Sequence, residues 1–181
     1  MSKPAERRLV HRRSMSVHVF RVGDGRWEAI AEVVDIKSRD YPIGDRVVRA
    51  GQPLHHMRIR LIVNSDFDVL DADARTLAAP YPGDCDDDLG RYRELVGLNL
   101  ARGFSRALSD RFHGEKGCTH ISELARTLPT AVMIAVRGDM GDPEADTIEQ
   151  PRHVGRCRGL RLDGPVVRSR YPRWAITPQI D

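Results

Sequence analysis

Apolar and polar residues alternate along the first part of this chain with a period of two. Ser16–Val22 and Trp27–Lys37 read as strands joined by Gly23-Asp24-Gly25, a hairpin turn. Leu54–Asn64 alternates most cleanly: His55, Met57, Ile59, Leu61 and Val63 share one face, and His56, Arg58 and Arg60 the other. A turn at Asn64-Ser65-Asp66 leads into a short strand at Phe67–Ala72, which completes an antiparallel meander. Between strands, Asp40–Gly51 reads as a loop because it is polar and holds Pro42. Ala78–Gly90, with Pro80, Pro82 and a run of aspartates, reads as a second loop.

The period then changes. From Arg91, apolar residues recur at three- and four-residue steps through Leu95, Leu98, Ala101, Leu108 and Phe112, predicting a helix. Gly114–Gly117 interrupts it. Thr119 then caps a second helix carrying Ile121, Leu124, Ala125, Leu128 and Val132, which Pro129 should kink or end. Asp139–Gln150 reads as an exposed acidic linker, and Gly155–Tyr171 is ambiguous. Strands followed by helices predict an α+β fold, a curved antiparallel sheet with two helices packed on one face. Residues 1–14 read as a flexible basic arm and 15–181 as a single domain. No GxGxxG is present for a dinucleotide.

The 181 residues carry 29 Lys+Arg against 26 Asp+Glu, a net charge of +3. This near balance and the 6% aromatic content weigh against nucleic acid as a partner. No stretch reaches about 18 apolar residues, which excludes a membrane-spanning helix, and no apolar run follows the basic N-terminus as in a secretory signal. A cytoplasmic location is the expectation. Cys85, Cys118 and Cys157 are odd in number and far apart, which argues against a disulfide framework.

Four features can carry chemistry. In Leu54-His55-His56-Met57-Arg58, an inward His55 suits proton transfer because its ordinary pKa lies near ~6.5; a histidine merely bonded to a carbonyl is the plainer alternative. Gly117-Cys118-Thr119-His120 stands at a helix start, where free amides favour anions and a thiolate; Thr119 as a simple cap and Cys118 as filler is the other reading. Tyr81, in the proline-braced loop before Cys85, can orient a phenol or simply cover the core. Asp35 and Lys37 share a strand face, either as a pair beside a pocket or as an exposed ion pair. Cys85, Cys118 and His120 also compose a zinc-type ligand set, although the spacing is not diagnostic.

Those runs, together with Ala50-Gly51-Gln52-Pro53 and Tyr92…Leu95-Val96-Gly97-Leu98…Gly103-Phe104, resemble the bacterial domain-of-unknown-function family numbered 2889 over about residues 15–172. Asp35-Ile36-Lys37 resembles that family's D-x-K strand end, and Ile121 replaces the more usual Leu after the histidine. Members are similar to proteins of lignin-aromatic breakdown, including a phenylcoumaran γ-formaldehyde lyase. The resemblance implies an enzyme of the carbon–carbon lyase class that releases formaldehyde from a phenolic aromatic dimer and leaves a stilbene. On that reading His55 and His120 move protons, Lys37 or Tyr81 stabilises phenolate, and Asp35 orients Lys37 or His55. His56, Met57, Arg58 and Cys118 contact substrate. No organic cofactor is expected, and a metal is left open. The partner is a small aromatic molecule, and an unpaired edge strand is compatible with a homodimer. The alternative is a metal-binding hydrolase or accessory protein using Cys85, Cys118 and His120.

Overall fold

The structure, a computed structural model, describes residues 6–86, 89–141, 149–151 and 153–176. Contacts divide the chain into two compact units, Met1–Val136 and Arg137–Asp181.

The first unit is built on four long strands: β1 (His11–Gly23), β2 (Arg26–Lys37), β5 (Pro53–Asn64) and β6 (Val69–Ala78). They form an antiparallel sheet in the order β1-β2-β5-β6. This is the meander that the alternation predicts, and with the helices it makes the fold α+β. The strand positions facing the core, Trp27, Ala29, Ala31 and Val33 on β2 and Met57, Ile59, Leu61 and Val63 on β5, are almost wholly buried. Their counterparts on the other face of β5, Arg58 and Arg60, pair with Glu32 and Glu28 on β2. A slip of one residue would exchange these two sets, so the register is strongly fixed.

Several boundaries differ from the sequence reading, each for a local reason. β1 begins at His11, so residues 11–14, assigned to the basic arm, are strand residues paired with Lys37 through Val34. The segment read as one loop at Asp40–Gly51 contains a small hairpin of β3 (Tyr41–Ile43) and β4 (Arg46–Val48), turned by Gly44 at φ 56°. The strand expected at Phe67–Ala72 starts two residues later, because the Asn64 side chain accepts from the amides of Asp66 (3.0 Å) and Asp68 (2.8 Å) and prolongs the turn. Phe67 pays for this turn with a φ of 70° while its ring is buried in the core.

The long helix expected from Arg91 to Phe112 is two pieces. A 3-10 helix spans Leu89–Leu95, and α1 spans only Phe104–Phe112. Between them Gly97 (φ 83°) and Gly103 (φ 72°) adopt conformations that a helix does not use. The freed backbone is bonded to β6 instead, with the Val69 amide donating to the Leu98 carbonyl at 2.8 Å and the Gly97 amide to the Val69 carbonyl at 2.9 Å. α2 (Thr119–Met140) contains Pro129 and continues past it. Its buried stripe of Ile121, Leu124, Ala125, Leu128 and Val132 joins the sheet's inner face and Leu108 and Phe112 of α1 in one apolar core. That packing holds the helix together across the missing proline N–H.

The second unit has its own small apolar cluster of Val154, Val167 and Tyr171, supported by Leu160, Leu162 and Trp174. Its regular structure is α3 (Pro165–Arg170) followed by a turn of 3-10 helix at Pro172–Trp174. Most of the acidic segment Asp139–Gln150 lies outside the described residues.

Candidate active site

The core face of β2 ends in a charge. After Trp27, Ala29, Ala31 and Val33, the next inward position is Asp35, 1% exposed. Sheet register places Arg13 of β1 directly beside it on one flank and His55 of β5 on the other. Three strands thus contribute one polar row, and the first turn of α2 closes it with His120.

Every lone pair of the Asp35 carboxylate is engaged. Oδ1 accepts from Arg13 Nε at 2.8 Å and faces His11 Nε2 at 3.0 Å. Oδ2 accepts from Arg13 Nη2 at 2.8 Å and faces His55 Nδ1 at 3.1 Å. The Arg13 fork is bidentate, the strong form of this interaction. Its remaining Nη1 donates to Glu123 Oε2 at 2.7 Å, tying edge strand β1 to α2. His120 Nε2 lies 3.6 Å from Asp35 Oδ2, beyond hydrogen-bond length. Its ring instead stacks on His55, with centroids 4.0 Å apart and planes tilted by 32°.

The electrostatics follow. Burial works to raise the Asp35 pKa and is the largest single influence. The Arg13 hydrogen bonds and charge, helped by His55 and His11, outweigh it together and hold the group down at about 2. Asp35 is therefore a fixed anion. Burial pushes His55 below its ordinary value, and the neighbouring His120 pushes it further. Burial also lowers His120, followed by the charge of Arg13. Both imidazoles are neutral at neutral pH. With Nδ1–H of His55 given to Asp35, its Nε2 is left as a free base. The two side chains keep 17% and 20% exposure, enough to meet a substrate.

Of the residues singled out in the sequence, the structure brings together Asp35, His55 and His120. Lys37 does not join them; its Nζ lies 5.5 Å from the centre of the Tyr41 ring. Asp35 is hydrogen-bonded to His55 and not to Lys37. Tyr81 is 58% exposed. His56 and Arg58 lie on the opposite face of β5 from His55, beside Glu32. Met57 and Cys118 form the next rung, Sγ to Sδ 3.5 Å, between the same strand and helix. The space expected between sheet and helices for two aromatic rings is filled at this point: Val33, Met57, Ile121 and Leu124 are all fully buried.

A cleft of about 240 Å³ opens nearby, lined by Cys85, Arg91, Tyr92, Lys116 and Cys118 among others. Beneath it Tyr92 Oη donates to the Cys118 carbonyl and accepts from Ser122 Oγ, each at 3.0 Å. The start of α2 thus serves two places, Cys118 just before it the cleft and His120 in its first turn the histidine cluster. The ligand set Cys85, Cys118 and His120 is not assembled as a group: among the described residues the metal-type donors gathered within 4.8 Å are those of Asp35, His55 and His120.

Sequence reasoning missed His11, Arg13 and Glu123. The alternation His11, Arg13, Met15, Val17, Val19 continues β1 to its first residue, but charged side chains at the inward positions make it look like a solvated arm.

Fold and site together define an α+β domain with a histidine pair built on a buried, arginine-clamped carboxylate. The chain belongs to the family described as Protein of unknown function (DUF2889), whose model matches residues 11–134. That match contains every member of the cluster. No curated protein and no solved structure matches the chain.

Proposed function

We propose that this protein is a carbon–carbon lyase that releases formaldehyde from the hydroxymethyl group of a lignin-derived phenolic dimer of the phenylcoumaran type, leaving a stilbene. The observation that carries the reading is the pair of neutral imidazoles, His55 and His120, stacked 4.0 Å apart over an anion that is itself unable to take a proton. The substrate class comes from the family resemblance.

The chemistry needs proton transfers and no net oxidation. One imidazole removes the para-phenol proton, and the electrons open the cyclic ether to a quinone methide and a phenoxide. The imidazolium so formed returns its proton to that phenoxide oxygen. The second imidazole takes the proton of the hydroxymethyl oxygen. The electron pair so freed on that oxygen forms the carbonyl of formaldehyde, the C–C bond breaks, its electron pair forms the stilbene double bond as the ring regains aromaticity, and the para-phenolate so formed takes back the proton held by the second imidazolium. Stacked imidazoles resist carrying two charges at once, so the steps are taken in turn. Asp35 keeps His55 in the tautomer with Nε2 free and stabilises each imidazolium. The substrate approaches from the rim formed by His11, Arg13 and Glu123, all partly exposed.

The test is incubation with a phenolic phenylcoumaran dimer, following formaldehyde chemically and stilbene by absorbance. His55→Ala and His120→Ala should each lower turnover by roughly 10²-fold or more without unfolding the protein. Near-wild-type rates in both variants would remove the pair from the mechanism.

A second reading rests on the convergence of Asp35, His55 and His120 donors within 4.8 Å, which suits a divalent metal. Against it stand the four donors already on Asp35 and the adjacent Arg13 cation. Stoichiometric zinc or iron surviving dialysis, and lost in His120→Ala, would favour it over the lyase.

A further inference from the structure

Two thiols line one cleft, and the histidine chemistry uses neither. Cys85 and Cys118 both face the opening above Tyr92, and both are half-buried and free. The third cysteine, Cys157, is exposed and belongs to the second compact unit.

The sheet beneath the cleft fixes where each of the two sits. Cys118 rests over β5, with its Sγ 3.5 Å from Met57 Sδ. Cys85 rests over β6, with its carbonyl accepting from Thr76 Oγ1 at 3.1 Å. Met57 and Thr76 are direct partners in the antiparallel ladder, so their side chains rise from one rung on the same face. Both cysteines also pack against the same apolar core. Residues seated over adjacent strands at one rung are offset by about one strand spacing, ~4.8 Å. A disulfide spans a Cα separation of ~4.4–6.8 Å, so this placement suits one.

Backbone bonds hold both residues at that rung. The Cys85 amide donates to the Tyr81 carbonyl at 2.9 Å, closing a turn of the proline-braced loop. The Cys118 carbonyl accepts from the Ser122 amide at 2.9 Å and from Tyr92 Oη at 3.0 Å. The cleft opens the pair to small solutes. A cysteine packed alone in a core is inert filler, whereas an accessible thiol with a second thiol beside it is the arrangement that captures a sulfenic acid as a disulfide.

We infer that Cys85 and Cys118 are an oxidisable pair, which a hydroperoxide converts to a disulfide that fastens the loop after β6 to the start of α2. One thiolate attacks a peroxide oxygen, the O–O bond breaks, and a sulfenic acid and the first water result. The other thiolate attacks that sulfur, the S–S bond forms, the S–O bond breaks and the second water leaves. Two thiols are oxidised, one hydrogen peroxide is reduced to two waters, and both thiol protons end in those waters. His120 stands two residues after Cys118 in the first turn of α2, so the bond fixes the helix end that carries it. The inference holds whatever reaction the histidines perform.

The experiment uses the full chain, reduced with dithiothreitol and then freed of it. Stoichiometric hydrogen peroxide is added to native protein and, in parallel, to protein unfolded in urea. Remaining thiols are alkylated and the peptides mapped by mass spectrometry. The expected product is a Cys85–Cys118 disulfide, lighter by two hydrogen atoms and reversed by dithiothreitol. It should form at least about ten-fold faster in native protein than in urea, because the fold brings the sulfurs together. In Cys157→Ser, where no third thiol competes, the oxidised protein should melt roughly 5 °C or more above the reduced one. Cysteines that stay alkylatable or end as separate sulfinic acids would overturn the assignment. So would a bond that forms no faster than in urea, or an oxidised protein that melts below the reduced one. Should Cys157→Ser fail to fold, the native-against-urea mapping on the parent chain decides.

Discussion

Replacing Asp35 by Asn changes one atom and should do two measurable things. The amide is the same shape, but its NH₂ end must face donors whichever way it sits. On one side are Arg13 Nε and His11 Nε2, and on the other Arg13 Nη2 and His55 Nδ1. A histidine can change tautomer to accommodate it; an arginine cannot give up a proton. The variant therefore keeps at least one donor-to-donor contact and loses the charge that balances Arg13. Because Arg13 is 35% exposed, water relieves part of that cost. The expected loss is about 2–3 kcal/mol, below the full penalty for breaking a wholly buried pair. In a chain of this size that lowers the Tm by roughly 5–10 °C. An independent route gives a similar size. Asp35 has a folded pKa of about 2 against an ordinary 3.8, a difference worth about 2 kcal/mol. The group is depressed, so its stabilisation is complete above pH 5 and disappears as pH falls through 4 toward 2. Denaturant melts of parent and Asp35→Asn across pH 2–7 measure both quantities. The parent should lose that increment in the acid range and the variant should not. Equal midpoints at pH 7, or an identical acid limb, would refute the claim that this carboxylate is clamped. His55 and His120 add acid sensitivity of the same sign in both proteins. Their folded pKa values are lowered, so below about pH 6.5 the unfolded chain takes up protons that the folded one declines.

Two further outcomes follow from the same geometry. The rate of formaldehyde release should stay level down through pH 6.5 and decline only below it, since both bases are held below their ordinary pKa; a kcat/KM midpoint above pH 6.5 would contradict this. Gly117→Ala should destabilise by about 1–3 kcal/mol in a thermal melt, because a Cβ there would stand 2.9 Å from Phe112 Cβ and 3.0 Å from Tyr92 Oη; an unchanged Tm would mean that Phe112 and Tyr92 have room to yield.

Much of this was legible from residue order. Burial of one strand face leaves a period of two, so β2 and β5 stand out, and so does the inward direction of His55. The stripe of α2 was readable through Pro129, although a proline alone argues for an end; tertiary packing decided otherwise. The 3-10 turn and α1 were misread as one helix because Leu95, Leu98 and Ala101 keep helical spacing while facing different neighbours. At the site, the family resemblance joined Asp35, His55 and His120 in one mechanism, but the clamp that holds their carboxylate was not foreseen. Arg13 and His11 occupy inward strand positions with charged side chains, and nothing local distinguishes that from a solvated arm. Cross-strand register, which depends on the whole sheet, supplies the distinction.

The bond from Arg13 to Glu123 spans 110 residues of sequence. It needs both the outermost strand paired on the sheet and the long helix docked, so the surroundings of the histidine pair are complete only when both elements are in place. Turnover would then double as a gauge of maturation: molecules whose leading strand has peeled away would keep most of their secondary structure and report, by silence, that assembly is unfinished.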